Sequence, residues 1–191
     1  MEKVASKCYR PTTTLLLDQI RKNDGRFKVS FSITGTAIEQ MQAWAPDVID
    51  LLQQCAATGC ADFLAETSHH SLSSLYAPAE FKLQVEKHVS LMQELFDIEP
   101  IVFRNTELIY SDRIAKSVVD MNRFRGMTCE GVDRILGDRS PAWVYAPDGS
   151  GEHLPSAKIR LLLKNYRLSD DIAFRFSDQN WSEWPLDANR F

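Results

Sequence analysis

Five short apolar runs, rich in β-branched and aromatic residues, alternate along the chain with longer stretches of helical periodicity. The runs are Phe27 to Ile33, Cys60 to Ala65, Ile101 to Arg104, Phe124 to Cys129 and Ile159 to Leu163. Alternation of this kind implies βα units, right-handed crossovers and a mainly parallel sheet covered by helices. Such sheets carry their functional groups at the carboxyl ends of the strands, whether open or closed. Five strands are fewer than a closed barrel needs, so the expected architecture is α/β, a partial barrel with parallel strands.

Turn and capping residues mark the predicted helices. Pro11-Thr12-Thr13-Thr14 opens one, and Asp24-Gly25 ends it. Thr34-Gly35-Thr36 leads into a second, which restarts at Ala45-Pro46-Asp47 and stops at Gly59. Pro78 begins a long amphipathic helix ending near Phe96, and Asp112 is the expected N-cap of a helix carrying Ile114, Val118 and Met121. Residues 148–155, with two glycines and a proline, read as a flexible loop.

A length of 191 residues suits one domain with one filled core. The formal charge of −4 argues against nucleic acid or an anionic membrane as the main partner and accommodates a neutral substrate such as a sugar. No apolar stretch reaches the ~18 residues of a membrane span, and residues 1–7 lack a secretory apolar core, so a cytoplasmic location is the default expectation. Cys8, Cys55, Cys60 and Cys129 form no Cys-x-x-Cys pair and are expected to be reduced packing thiols.

Three acidic positions follow three predicted strands: Glu66, Glu107, and the pair Asp170-Asp171. Cleaving a glycosidic bond needs one carboxyl group to protonate the leaving oxygen and another to attack or stabilise the sugar cation. Acids from different strand ends supply such a pair if 107 and 170 or 171 converge on one cavity. The bland alternative is that Glu107 caps the next helix and Asp170-Asp171 is a solvated turn. His69 and His70 are adjacent and point in different directions from an extended loop, so they do not chelate one metal together. With no third spaced ligand, no metal or cofactor is expected. A metal-dependent deacetylase-like hydrolase using His69 or His70 with Asp62 is the remaining metal reading. Trp181 and Trp184 lie in a polar stretch after Phe174 and Phe176 and could stack on sugar rings, while core packing is at least as natural for the two phenylalanines.

Four stretches together resemble glycoside hydrolase family 57, in its α-amylase-like branch. They are Val29 to Ile33 with Gly35; Ala65-Glu66-Thr67-Ser68-His69-His70-Ser71-Leu72; Phe103-Arg104-Asn105-Thr106-Glu107-Leu108-Ile109-Tyr110; and Asn165 to Phe174 around Leu168-Ser169-Asp170-Asp171. The resemblance implies a distorted (β/α)7-type barrel and retaining hydrolysis or transfer of α-glucosidic bonds in starch or glycogen. It makes Glu107 the nucleophile and Asp170 or Asp171 the acid/base, with Glu66 and His70 at the sugar pocket; His69, Arg104 and Trp181 are further candidate substrate contacts. Ala65 and His69 stand where relatives often show glycine and tyrosine, and the His-Gln-Pro tripeptide of the family's opening strand does not occur. Residues 1–191 are therefore expected to be a catalytic barrel portion incomplete at both ends, with α-glucan or maltooligosaccharide as partner and an unfinished edge that favours self-association. The alternative is a catalytically impaired α-glucan-binding fragment.

Overall fold

The computed structural model describes residues 1–147 and 159–190. Six strands are present among the described residues: β1 (Val29–Phe31), β2 (Ala61–Phe63), β3 (Val102–Arg104), β4 (Gly126–Cys129), β5 (Val144–Tyr145) and β6 (Arg160–Leu163). β1 pairs with β2, and a second sheet runs β3-β4-β6-β5. One parallel bridge, Ala65 to Phe103, joins them: Ala65 N–H donates to the Val102 carbonyl at 2.9 Å, and Arg104 N–H to the Ala65 carbonyl at 2.7 Å. All pairings are parallel except β5 with β6. Among the described residues the sheet is open, and no closed barrel forms.

The helices sit where periodicity placed them, with two corrections. Winding begins earlier than Pro11, in α1 (Glu2–Val4), and passes through a π turn, Ala5–Tyr9, into α2 (Arg10–Lys22). α3 (Gly35–Trp44) is capped by Thr34, whose hydroxyl accepts from Ala37 N–H at 3.1 Å. α4 (Pro46–Ala57) and, after the one-turn α5 (Ser73–Tyr76), α6 (Pro78–Phe96) both start on proline, which tolerates the first turn. α7 (Asp112–Asp120) is capped by Ser111 rather than Asp112: the Ser111 hydroxyl accepts from Ile114 N–H at 3.3 Å, and Asp112 accepts from the Tyr110 hydroxyl instead. Two short helices, α8 (Asp133–Leu136) and α9 (Tyr166–Asp170), follow β4 and β6. The predicted loop at 148–155 lies outside the described residues.

Three clusters of buried side chains pack helices on the strands, the smallest formed by Leu17, Ile20 and Cys55 against Ala61. Phe81, Val85 and Val89 of α6 and Ile114 and Val118 of α7 pack on Phe103, Met127, Ile159 and Leu161. Phe81 meets Phe103 edge-on, with ring centroids 5.6 Å apart. On the other side Ile38, Met41, Val48 and Leu52 pack with Phe63, Met92 and Phe96, and the Phe63 and Phe96 rings stack at 4.4 Å. Burial of these side chains contributes roughly 1.5–3 kcal/mol each before conformational entropy is counted. No helix among the described residues is long and apolar enough to cross a membrane.

Candidate active site

The carboxyl ends of β2 and β3 carry Glu66 and Glu107. Immediately after β3, Asn105 is buried and its side-chain amide donates to the Ile109 carbonyl at 2.9 Å and to Ser74 Oγ at 3.1 Å. The chain turns so tightly here that Glu107 and Leu108 both take left-handed backbone conformations, with φ of 54° and 56°. For residues with a Cβ this costs on the order of 1–3 kcal/mol each and persists only where neighbours enforce it. The turn leaves the Glu107 side chain 73% exposed at the strand end.

His70 reaches Glu107 from the neighbouring loop: its Nε2 lies 3.0 Å from Glu107 Oε1. A carboxylate can only accept, so Nε2 donates. His70 also has a left-handed φ of 52°. Its Nδ1 faces Glu66 Oε2 at 3.7 Å. Glu66 is 2% exposed and accepts from the Ser32 hydroxyl at 2.7 Å. Glu66, His70 and Glu107 thus form a line from the interior to the surface, and the exposed Ser32 bonds to Glu66. The hydrogen bond from His70, then its charge and that of Arg104, hold the Glu107 carboxyl below the ordinary carboxylate range.

A buried hydroxyl network braces the two loops. Thr67 and Thr106 hydroxyls are 3.1 Å apart; Thr106 donates to the Ser71 carbonyl at 2.8 Å, and Thr67 accepts from Ser71 N–H at 2.9 Å. His69 turns the other way, as adjacent residues in a loop must. Its Nδ1 lies 3.1 Å from Thr36 Oγ1, and its N–H donates to Gln84 Oε1 at 3.3 Å. His88 of α6 is fully buried; its Nε2 donates to the Ile33 carbonyl at 2.8 Å, and burial pushes its pKa down.

The His70–Glu107 contact stands between two cavities. One, of about 510 Å³, is lined by Tyr9, Thr12, Ser32, Glu66, His70 and Arg104, among others. The second, of about 620 Å³, is lined by Glu107, Tyr110, Glu130, Arg134, Tyr145 and further residues.

Asp170 and Asp171 lie at the same edge of the sheet, beyond β6, which is one strand removed from β3. They do not meet Glu107 in one cavity. Asp171 opens a π turn, Asp171–Arg175, and its carboxylate is held by Arg175 one turn on. It lines a separate hollow of about 260 Å³ with Arg167, Trp181 and Arg190. Trp181 has the Arg175 guanidinium over its ring at 5.7 Å, so one ring face is already covered. Phe174 and Phe176 are 66% and 37% exposed and do not serve as core. Among the described residues, no group of three or more His, Cys, Asp or Glu is arranged to hold a metal.

Ser32, Thr67, Asn105 and Thr106 lie inside the stretches that carry the family resemblance and Thr12 at the opening of α2, but no site role was read for any of them. Glu130 is different, because it too follows a strand and that position was its signal.

Comparison with known proteins gives one family model, described as "Glycosyl hydrolase family 57", matching residues 1–191. A Methanocaldococcus jannaschii protein named "Putative alpha-amylase" is 45% identical over 191 residues, covering 99% of this chain and 38% of its own length. The chain therefore spans well under half of that relative. The crystal structure of 4-alpha-glucanotransferase from Thermococcus litoralis superposes with a TM-score of 0.75 at 19% identity, over 91% of this chain and 26% of that one. A GH57-type branching enzyme from Pyrococcus horikoshii gives 0.66 at 11% identity, over 87% of this chain and 42% of that one. At these identities the two structures bear on the fold alone.

Proposed function

Because this chain belongs to glycosyl hydrolase family 57, we propose that it carries the nucleophile side of a retaining α-glucan-active site, acting on starch- or glycogen-type α-glucosidic bonds. The observation that carries the reading is the contact of His70 Nε2 with Glu107 at 3.0 Å, backed by buried Glu66. It holds one carboxylate oxygen and keeps the group ionised, which leaves the other oxygen as nucleophile. The open sheet is then part of a distorted (β/α)7-type barrel.

Glu107 attacks the anomeric carbon while the bond to the leaving oxygen breaks and that oxygen takes a proton from the acid. Water then attacks the glycosyl ester, gives its proton to the same group now acting as base, and Glu107 departs as carboxylate. An acceptor sugar in place of water gives transfer. Asp171 is held by Arg175, which favours Asp170 as acid/base. Arg104 lines the cavity with Glu66 and His70 and suits a sugar hydroxyl.

The separate cavities of Glu107 and Asp171 support a second reading, an α-glucan-binding portion without turnover. Product analysis with maltoheptaose separates them. The first reading expects short maltooligosaccharides from the chain and none from Glu107→Gln. Binding without any product favours the second, and unchanged turnover in Glu107→Gln removes Glu107 from the mechanism.

A further inference from the structure

Glu130 follows β4 as Glu107 follows β3, and the two strands are adjacent. Its N–H donates to the Leu108 carbonyl at 3.3 Å, which places it beside the turn that carries Glu107. A Cβ on Gly131 would fall 2.2 Å from the Lys164 carbonyl oxygen, so only glycine lets the end of β4 press this closely on the end of β6. Glu130 lines the 620 Å³ cleft together with Glu107.

One carboxyl oxygen of Glu130, Oε2, is sealed from solvent and has no hydrogen-bond partner. Thr128 Oγ1, two residues back, is likewise sealed and has no partner among the described residues, but Thr128 does not line this cleft. Buried polar atoms are almost always paired, and an orphan carboxyl oxygen on a residue that lines a cleft points to a polar ligand there. A carboxylate oxygen accepts, and a sugar hydroxyl donates.

Resting on the α-glucan reading above, we propose that Glu130 is a substrate-binding residue, taking a hydrogen bond from a sugar hydroxyl of the glucan chain bound in the cleft of Glu107. Glu107 supplies the reacting carboxylate, and Glu130 fixes the ring that presents the bond to it.

Calorimetric titration of the 191-residue chain with maltoheptaose tests this. Glu130→Ala is expected to weaken binding on the order of tenfold, the size of a lost hydrogen bond to a carboxyl group. It is expected to melt no lower than wild type, because it removes a buried atom that has no partner. A purely structural role for Glu130 would show the reverse, a lower melting temperature with unchanged affinity. Should the alanine variant fail to fold, the isosteric Glu130→Gln is read instead, with binding about threefold weaker expected. Wild-type affinity in the folded variant overturns the assignment of Glu130 and leaves the glucan reading standing. No binding of maltoheptaose by the wild-type chain overturns both.

Discussion

Gly35→Ala tests whether the loop bearing Glu66 and His70 is clamped by α3. In an open helix the substitution would stabilise by roughly 0.5–1 kcal/mol, because glycine loses more backbone freedom on folding. Here the new Cβ would lie 2.3 Å from Ser68 Oγ, 3.0 Å from the Ser68 carbonyl oxygen and 3.4 Å from its Cα. Ser68 is fully buried, and its carbonyl already accepts from Thr36 N–H at 3.0 Å. The hydroxyl can rotate away, but the backbone atoms cannot. Overpacking of this kind costs about 1–3 kcal/mol, so a net loss of about 1–2 kcal/mol is expected. For a chain of this length that is a fall in Tm of roughly 2–8 °C. Ser68→Ala removes the nearest atom, a buried hydroxyl without a partner, and should be within about 0.5 kcal/mol of wild type. Urea melts of the two single variants and the double variant complete the cycle, and Gly35→Ala should cost at least about 0.5 kcal/mol less in the Ser68→Ala background. A Gly35→Ala protein as stable as wild type, or additive effects in the cycle, would refute the close approach of α3 to this loop.

Two further outcomes follow from electrostatics and burial. In ¹³C-labelled glutamate spectra the Glu107 carboxyl should titrate below its ordinary 4.5, and His70→Asn should move it back up. Since the folded value is depressed, the pair stabilises the fold above the unfolded value, and that contribution disappears as pH falls through the folded one. An unmoved midpoint in His70→Asn would contradict the contact. Burial, then the charge of Glu130, pushes the Cys129 thiol up to about 11, while Cys8 is exposed. Brief alkylation of the native protein at pH 8 should therefore modify Cys8 and spare Cys129, and comparable labelling of both would overturn that burial.

The sheet was readable because each predicted strand is a short apolar run between turn residues, and the helices because proline or glycine marks their ends. β5 escaped notice: Val144–Tyr145 is two residues long, antiparallel and close to Pro141 and Pro147, too short to show alternation. Ser111 and Asp112 are both good caps, and only backbone geometry chooses between them. At the site, Glu66, Glu107 and His70 were visible as strand-end and loop residues. Their union was not, because it depends on left-handed turns at His70, Glu107 and Leu108 that side-chain type does not announce. Asp170 or Asp171 was expected beside Glu107; Arg175, four residues on from Asp171, draws that carboxylate into another hollow. A charge partner one turn away on a helix was present in the sequence and is the signal that points there.

The most direct test is to trap the reacting carboxylate. The 191-residue chain is incubated with an activated fluorinated α-glucosyl donor, whose glycosyl ester hydrolyses slowly, and its peptides are mapped by mass spectrometry. One glycosyl adduct on Glu107, absent in Glu107→Gln and reduced in His70→Asn, is the predicted result; an adduct on Glu66 or Glu130, or none, contradicts the assignment.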